Sequence, residues 1–154
     1  MHQEPRLRSC AIAECLGTFL LVFFGCGAVH AAVTLDALQG GWQVASVWGF
    51  AVTLAIYAVG NISGAHINPA ITISMACWRG FPLARVPVYI GSQLAGAFLA
   101  ACCLYAIFSG TIGEYELQNE IVRGSPESLV TAAMYGEYHP NPTIKLHSVA
   151  AASK

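Results

Sequence analysis

Asn68 and Pro69 stand side by side in a long uncharged stretch, and together they can start a helix away from water. Asparagine is a favoured N-cap, and proline at the first helical position loses no donor the helix would have used. Ala70 to Trp78 then reads as helix. Residues 68–78 would rise about 17 Å, roughly half of a 30 Å hydrocarbon core. The stretch before them, 60–67 (GNISGAHI), is predicted non-helical. Arg79 and Arg85 put the C-terminus of this half-helix at the cytoplasmic face, where the preceding span also ends. The chain must therefore reach mid-membrane as extended backbone and return as a half-helix. Irregular backbone at that depth is tolerated only when buried in protein or lining a water-filled cavity. A helix N-terminus there is also a positive dipole end with free N–H groups. The chemistry these residues suit is a polar conduit: carbonyls near Gly64, Ala65 and His66 as acceptors, and the Asn68 amide as donor. The alternative on physics alone is a broken helix at a bend, without a pore.

Two further polar residues fall inside apolar runs. Gln93 reads as an interhelical hydrogen bond. Two readings stand for Glu14: snorkelling near the interface, or facing the bundle to accept hydrogen bonds from the irregular backbone, since an intramembrane carboxylate without partners is costly. His30, His139 and His147 lack ligand spacing, and His66 reads as a loop-packing histidine, so no metal or cofactor is expected. The six cysteines (10, 15, 26, 77, 102 and 103) include no Cys-x-x-Cys pair and read as small packing residues. No nucleophile–base pair emerges, so an enzyme is not expected.

The elements that must hold these residues follow from charge. Of 154 residues 56% are hydrophobic, the mean hydropathy is +0.59, and 15 are charged. That is 10% charged, against about 25% in a soluble domain. Disorder, nucleic-acid binding and a charged tail are excluded on these numbers. Uncharged stretches run over 15–35, 37–78 and 86–113, each long enough to cross a bilayer. The expectation is an all-α integral membrane protein: a cytoplasmic N-terminus over 1–9, a membrane domain over 10–108, and an external polar loop over 109–143. Within the membrane domain, spans are predicted at 10–33, 42–59 and 86–108, with a re-entrant loop and half-helix at 60–78. Arg6, Arg8, Arg79 and Arg85 fall on one side. Asp36 and a cluster of glutamates fall on the other, which makes the N-terminus cytoplasmic and the loop external. Small residues at Gly91-x-x-x-Ala95, Ser92-x-x-x-Gly96 and Gly96-x-x-x-Ala100, and at Gly17, Gly25 and Gly27, predict close helix approach.

The run Ser63-Gly64-Ala65-His66-Ile67-Asn68-Pro69-Ala70 resembles the first signature loop of the aquaporin superfamily (major intrinsic proteins), with its Asn-Pro-Ala motif (Asn68, Pro69, Ala70) intact. Ala13–Thr18 (AECLGT), Trp48-Gly49-Phe50, Ile121–Ser125 (IVRGS) and Tyr138–Pro142 (YHPNP) resemble the glycerol-facilitator branch. The resemblance covers about residues 8–143. It implies the first repeat of an inverted-repeat fold, three spans plus a half-helix, and for a complete member a homotetramer with one pore per subunit. It implies that Asn68 donates to passing hydroxyls, that Gly64, Ala65 and His66 present a carbonyl ladder, and that Glu14 braces the loop. It implies that Trp48 forms the aromatic wall of the external constriction. The solutes implied are glycerol, other small uncharged polyols and some water, crossing the cell (inner) membrane.

The chain departs from the pattern in one respect. Only the first repeat is present, without a second Asn-Pro-Ala or the arginine that follows it. Residues 144–154 read as the start of a fourth span, truncated at about half the needed length. The chain is therefore expected to be a truncated product, a partial gene or a fragment, and non-conducting alone. Two identical copies in one orientation would not rebuild a pore whose second half is inverted. The competing reading is a non-conducting membrane interaction protein that associates with a full-length channel.

Overall fold

The computed structural model describes residues 6–38 and 40–136. The expected fourth-span start at 144–154 and the Tyr138–Pro142 run lie outside the described residues. Four principal helices are present: α1 (Leu7–Leu35), α2 (Gly41–Ser63), α3 (Pro69–Trp78) and α4 (Val86–Gln118). A short α5 (Leu129–Ala132) lies between 3₁₀ turns at Pro126–Ser128 and Ala133–Tyr135, and residues 126–136 together form a cap. α1, α2 and α4 with its leading turn are long and apolar enough to cross a membrane.

α1 lies between α2 and α4 and carries most of the packing. Ala13, Ala55, Val59 and Ile67 form a buried cluster, with Leu20, Leu21 and Ala65 against it. Small side chains bring the backbones close, because dispersion contact and not water exclusion drives helices together in lipid. The tightest approach is at Gly96 on α4, where an added Cβ would overlap the backbone carbonyl of Cys15 on α1. Ala100, one turn on, is fully buried. At Gly91, by contrast, an added Cβ would meet nothing, so of the small-residue pairs in α4 the one centred on Gly96 makes the seam.

The ends are fixed by polar contacts. At one end the Cys10 thiol donates to the Ile62 carbonyl. At the other, Thr34 meets Thr111. α1 and α4 therefore run in the same direction, and Arg6, Arg8, Arg79 and Arg85 share an end.

Two stretches differ from expectation. Residues 60–63 were expected to be irregular, but α2 continues through them to Ser63. Gly64 ends the helix, not Gly60. At φ 87° it adopts the left-handed conformation open to glycine and returns its N–H to the Gly60 carbonyl, 2.9 Å away. The irregular segment shrinks to 64–68. Likewise the expected loop at 109–143 begins later, because α4 continues to Gln118. Its 33 residues rise about 50 Å, so its last turns project beyond a bilayer of 40–45 Å including headgroups. The buried Glu116 carboxylate there is satisfied by Arg123 at 2.7 Å and by the Thr131 hydroxyl at 2.9 Å. This contact also draws the cap onto the helix end. The pair and the nearby Tyr105 hydroxyl hold the Arg123 guanidinium above its ordinary range.

Candidate functional site: the re-entrant loop and the Trp48 cavity

Glu14 is fully buried on α1 and gathers the loop around it. Its Oε1 accepts from the Ser63 hydroxyl at 2.6 Å and the His66 N–H at 2.9 Å. Its Oε2 accepts from the Ile67 N–H and the Gln93 amide, both at 2.7 Å. Charge-assisted bonds of this kind are roughly twice as strong as neutral ones. Gln93 on α4 also donates to Thr72 on α3 at 3.0 Å, so one carboxylate links α1, α2, the loop and α4, and through Gln93 reaches α3.

The loop backbone needs that support. Ala65 (φ 49°) and Ile67 (φ 43°) are left-handed without being glycine. Such residues cost of order 1–3 kcal/mol each, more so when β-branched, and persist where the surroundings over-determine them. Three successive N–H groups point inward, Ala65 to the Ser63 hydroxyl at 3.1 Å and His66 and Ile67 to Glu14. In a planar trans peptide each carbonyl opposes the next residue's N–H. The carbonyls of Gly64, Ala65 and His66 therefore all point away from the buried carboxylate.

Asn68 caps α3 as its sequence predicts. Its Oδ1 accepts from the Ala70 N–H at 2.8 Å, and Pro69 holds the first helical position. With the oxygen committed to the helix, the amide NH₂ is the end left to donate, and the residue is exposed. Replacing Asn68 with alanine should cost about 1 kcal/mol of stability by loss of the cap. Hydrogen exchange at the Ala70 amide should rise accordingly, and unchanged protection would contradict the cap's contribution.

His66 divides between two roles. Its ring is buried against Phe81 and Tyr89, at 4.7 and 5.0 Å between centroids, and bonds Thr72 at 3.2 Å, while its carbonyl belongs to the outward set. The Tyr89 hydroxyl donates to the Ser63 carbonyl at 2.9 Å. Ser63, Thr72 and Tyr89 thus complete the bracing, and sequence reasoning missed all three. Ser63 carried a usable signal, since it directly precedes the glycine that ends α2. Tyr89 carried none, because an aromatic at the start of a span reads as an interfacial anchor.

Trp48 is not part of this cluster. It lies 15 residues before Ser63 on α2, about 22 Å along the helix toward its N-terminus. Its ring lies on Gly25 of α1, where an added Cβ would come within 2.5 Å of it. Trp48 shares a cavity of about 660 Å³ with Val22 and Cys26 of α1 and with Met134, Tyr135 and Gly136 of the cap.

Three long apolar helices, with a half-helix that starts in a short irregular loop, define a multi-pass integral membrane protein. The chain belongs to the major intrinsic protein family, whose model matches residues 1–137. Members are passive membrane channels and not enzymes. The chain is 42% identical to the glycerol uptake facilitator protein of Pseudomonas aeruginosa over 142 residues, covering 92% of this chain and 50% of that protein. It is 42% identical to the Escherichia coli K12 protein of the same name, covering 94% and 51% respectively. To the propanediol uptake facilitator of Salmonella typhimurium it is 41% identical, over 82% of this chain and 48% of that one. Its fold is similar to that of the X-ray structure of the aquaglyceroporin from Plasmodium falciparum, with a TM-score of 0.66 and 36% identity, covering 71% of this chain and 45% of that one. The chain spans about half the length of the curated relatives it matches.

Proposed function

We propose that this chain supplies one half of a passive pore for glycerol and other small uncharged polyols, with some water, in the cell (inner) membrane with its N-terminus cytoplasmic. The observation that carries the reading is the row of Gly64, Ala65 and His66 carbonyls turned from Glu14 toward the exposed side, beside the Asn68 amide. A row of acceptors followed by donors matches successive hydroxyls of a polyol. Trp48 at the outer cavity offers an apolar face for the C–H edge. The positive end of α3 disfavours cations and protons, so selectivity needs no charge on the solute. The uptake facilitators similar to this chain support the polyol over water alone, and a homotetramer is proposed for the complete pore. Gly64 and Asn68 are exposed on the open side of the three-helix unit, and that observation favours a second reading, a non-conducting chain that docks on a full-length channel.

Stopped-flow light scattering on vesicles separates these readings. Vesicles holding only the 154-residue chain should show neither glycerol nor water flux above empty vesicles. Fusion to the second half of the Escherichia coli facilitator should restore glycerol flux, and Trp48→Phe in that fusion should lower glycerol flux more than water flux. A fusion that folds without passing glycerol would overturn the polyol reading. Flux from the chain alone would overturn the half-pore reading.

A further inference from the structure

Cap residues 133–136 line the outer cavity beside Trp48, and the structure holds them at two points. One is the contact of Glu116, near the end of α4, with Thr131 and Arg123. The other centres on His30, which is 0% exposed on α1. Its ring lies 5.1 Å from Phe108 of α4 and 4.4 Å from Tyr135, which meets it edge-on at 81°. Its Nδ1 is 2.7 Å from the Cys26 carbonyl. A carbonyl only accepts, so Nδ1 carries the proton, and Nε2 is the bare nitrogen of the neutral ring. Nε2 is buried and has no hydrogen-bond partner among the described residues. The Cys26 thiol in turn donates to the Tyr135 carbonyl at 3.7 Å.

An aliphatic side chain would fill the same space without burying a bare nitrogen. What imidazole adds is the Nδ1–H bond, which fixes the plane of the ring and therefore the face offered to Tyr135. We propose that His30 is a positioning residue of the outer mouth: its bond to Cys26 orients the ring against which Tyr135 seats, and Tyr135 sets residues 133–136 as a wall of the cavity shared with Trp48. The cap, through Met134 and Gly136, then shapes what reaches Trp48. That consequence rests on the proposed function, in which this cavity is the solute's entrance. The seating of the cap by His30 does not.

The test uses the full chain in lipid nanodiscs. Nitrogen NMR of the histidines should show His30 as the Nδ1–H tautomer. Alkylation of Cys26 by a water-soluble maleimide, located by mass spectrometry, reads how often the cap lifts. His30→Leu should speed it about tenfold, a local opening easier by about 1.4 kcal/mol. His30→Asn places a donor where Nδ1 was and should stay within about twofold of the parent. His30→Gln places its donor at the Nε2 position and should behave like leucine. An Nε2–H tautomer, a leucine variant with the parent's rate, or an asparagine variant no slower than leucine would each overturn the proposal. Glycerol at high concentration should slow Cys26 alkylation in the parent chain. No slowing, with the asparagine rescue intact, would count against the entrance reading and leave the positioning of the cap standing.

Discussion

Replacing Glu14 with glutamine should remove most of the folded protein. The carboxylate accepts four hydrogen bonds, from Ser63, His66, Ile67 and Gln93, with no exposure to solvent. An amide of the same shape has one acceptor oxygen and brings two donors into a shell made of donors. Ser63 can turn its hydroxyl and Gln93 its amide to accept, but the His66 and Ile67 N–H groups, one at each carboxylate oxygen, cannot. At least one donor is left facing a donor, and the left-handed backbone at Ala65 and Ile67 loses the contacts that hold it. The expected loss is about 1–3 kcal/mol for each buried donor left unsatisfied, on top of the weakening of the remaining bonds once they are no longer charge-assisted. The monodisperse yield in detergent and the melting temperature by intrinsic fluorescence should both fall sharply. A variant with parental yield and melting temperature would show that the loop is set by α2 and α3 alone.

Gly96→Val is the second large effect. Its Cβ would overlap the Cys15 carbonyl and lie 3.1 Å from the Phe19 nitrogen, so the obstruction is backbone and has no rotamer to yield. α1 and α4 would have to separate along their seam, at or above the roughly 1–3 kcal/mol usual for overpacking. Gly91→Ala is the matched control on the same helix. Nothing lies within 4 Å of its added Cβ, and alanine is the better helix former by about 1 kcal/mol. The melting temperature should drop for the first variant and hold or rise for the second. Equal behaviour would mean that the α1–α4 seam tolerates separation.

Much of this molecule follows from the sequence because its signals are local. Runs without charge have to be spans, since no other structure satisfies the backbone in lipid. Asn68-Pro69 sets the start of α3 because capping acts within one turn. Where α2 stops was less legible. Gly60 and Asn61 look like helix breakers, yet a helix continues through such residues when its flank is packed, and only the αL glycine at 64 ends it. The continuation of α4 past residue 108 was hidden for a related reason. Glu114 and Glu116 read as loop until Arg123 and Thr131, 7 and 15 residues beyond Glu116, fold back onto the latter.

Residue types alone determined that a carboxylate inside the membrane needs donors and that an interrupted apolar run needs cover. They also marked the chain's family through the run Ser63–Ala70 together with several shorter matches in order along the chain. Only the tertiary structure decided which donors Glu14 takes, which of the α4 glycines makes the seam, and which way the loop carbonyls turn. It alone placed Ser63, Thr72 and Tyr89 around the loop, and Cys26, His30 and Tyr135 together beside the Trp48 cavity. Several of those contacts join residues far apart in the chain, Gln93 and Thr72 by 21 positions, Glu14 and Ser63 by 49, and Cys26 and Tyr135 by 109. Spacing along one helix fixes the face a side chain occupies, but which face of another helix meets it depends on how three spans settle against each other. That settlement is governed by backbone approach at a few small residues, and local pattern carries no record of it.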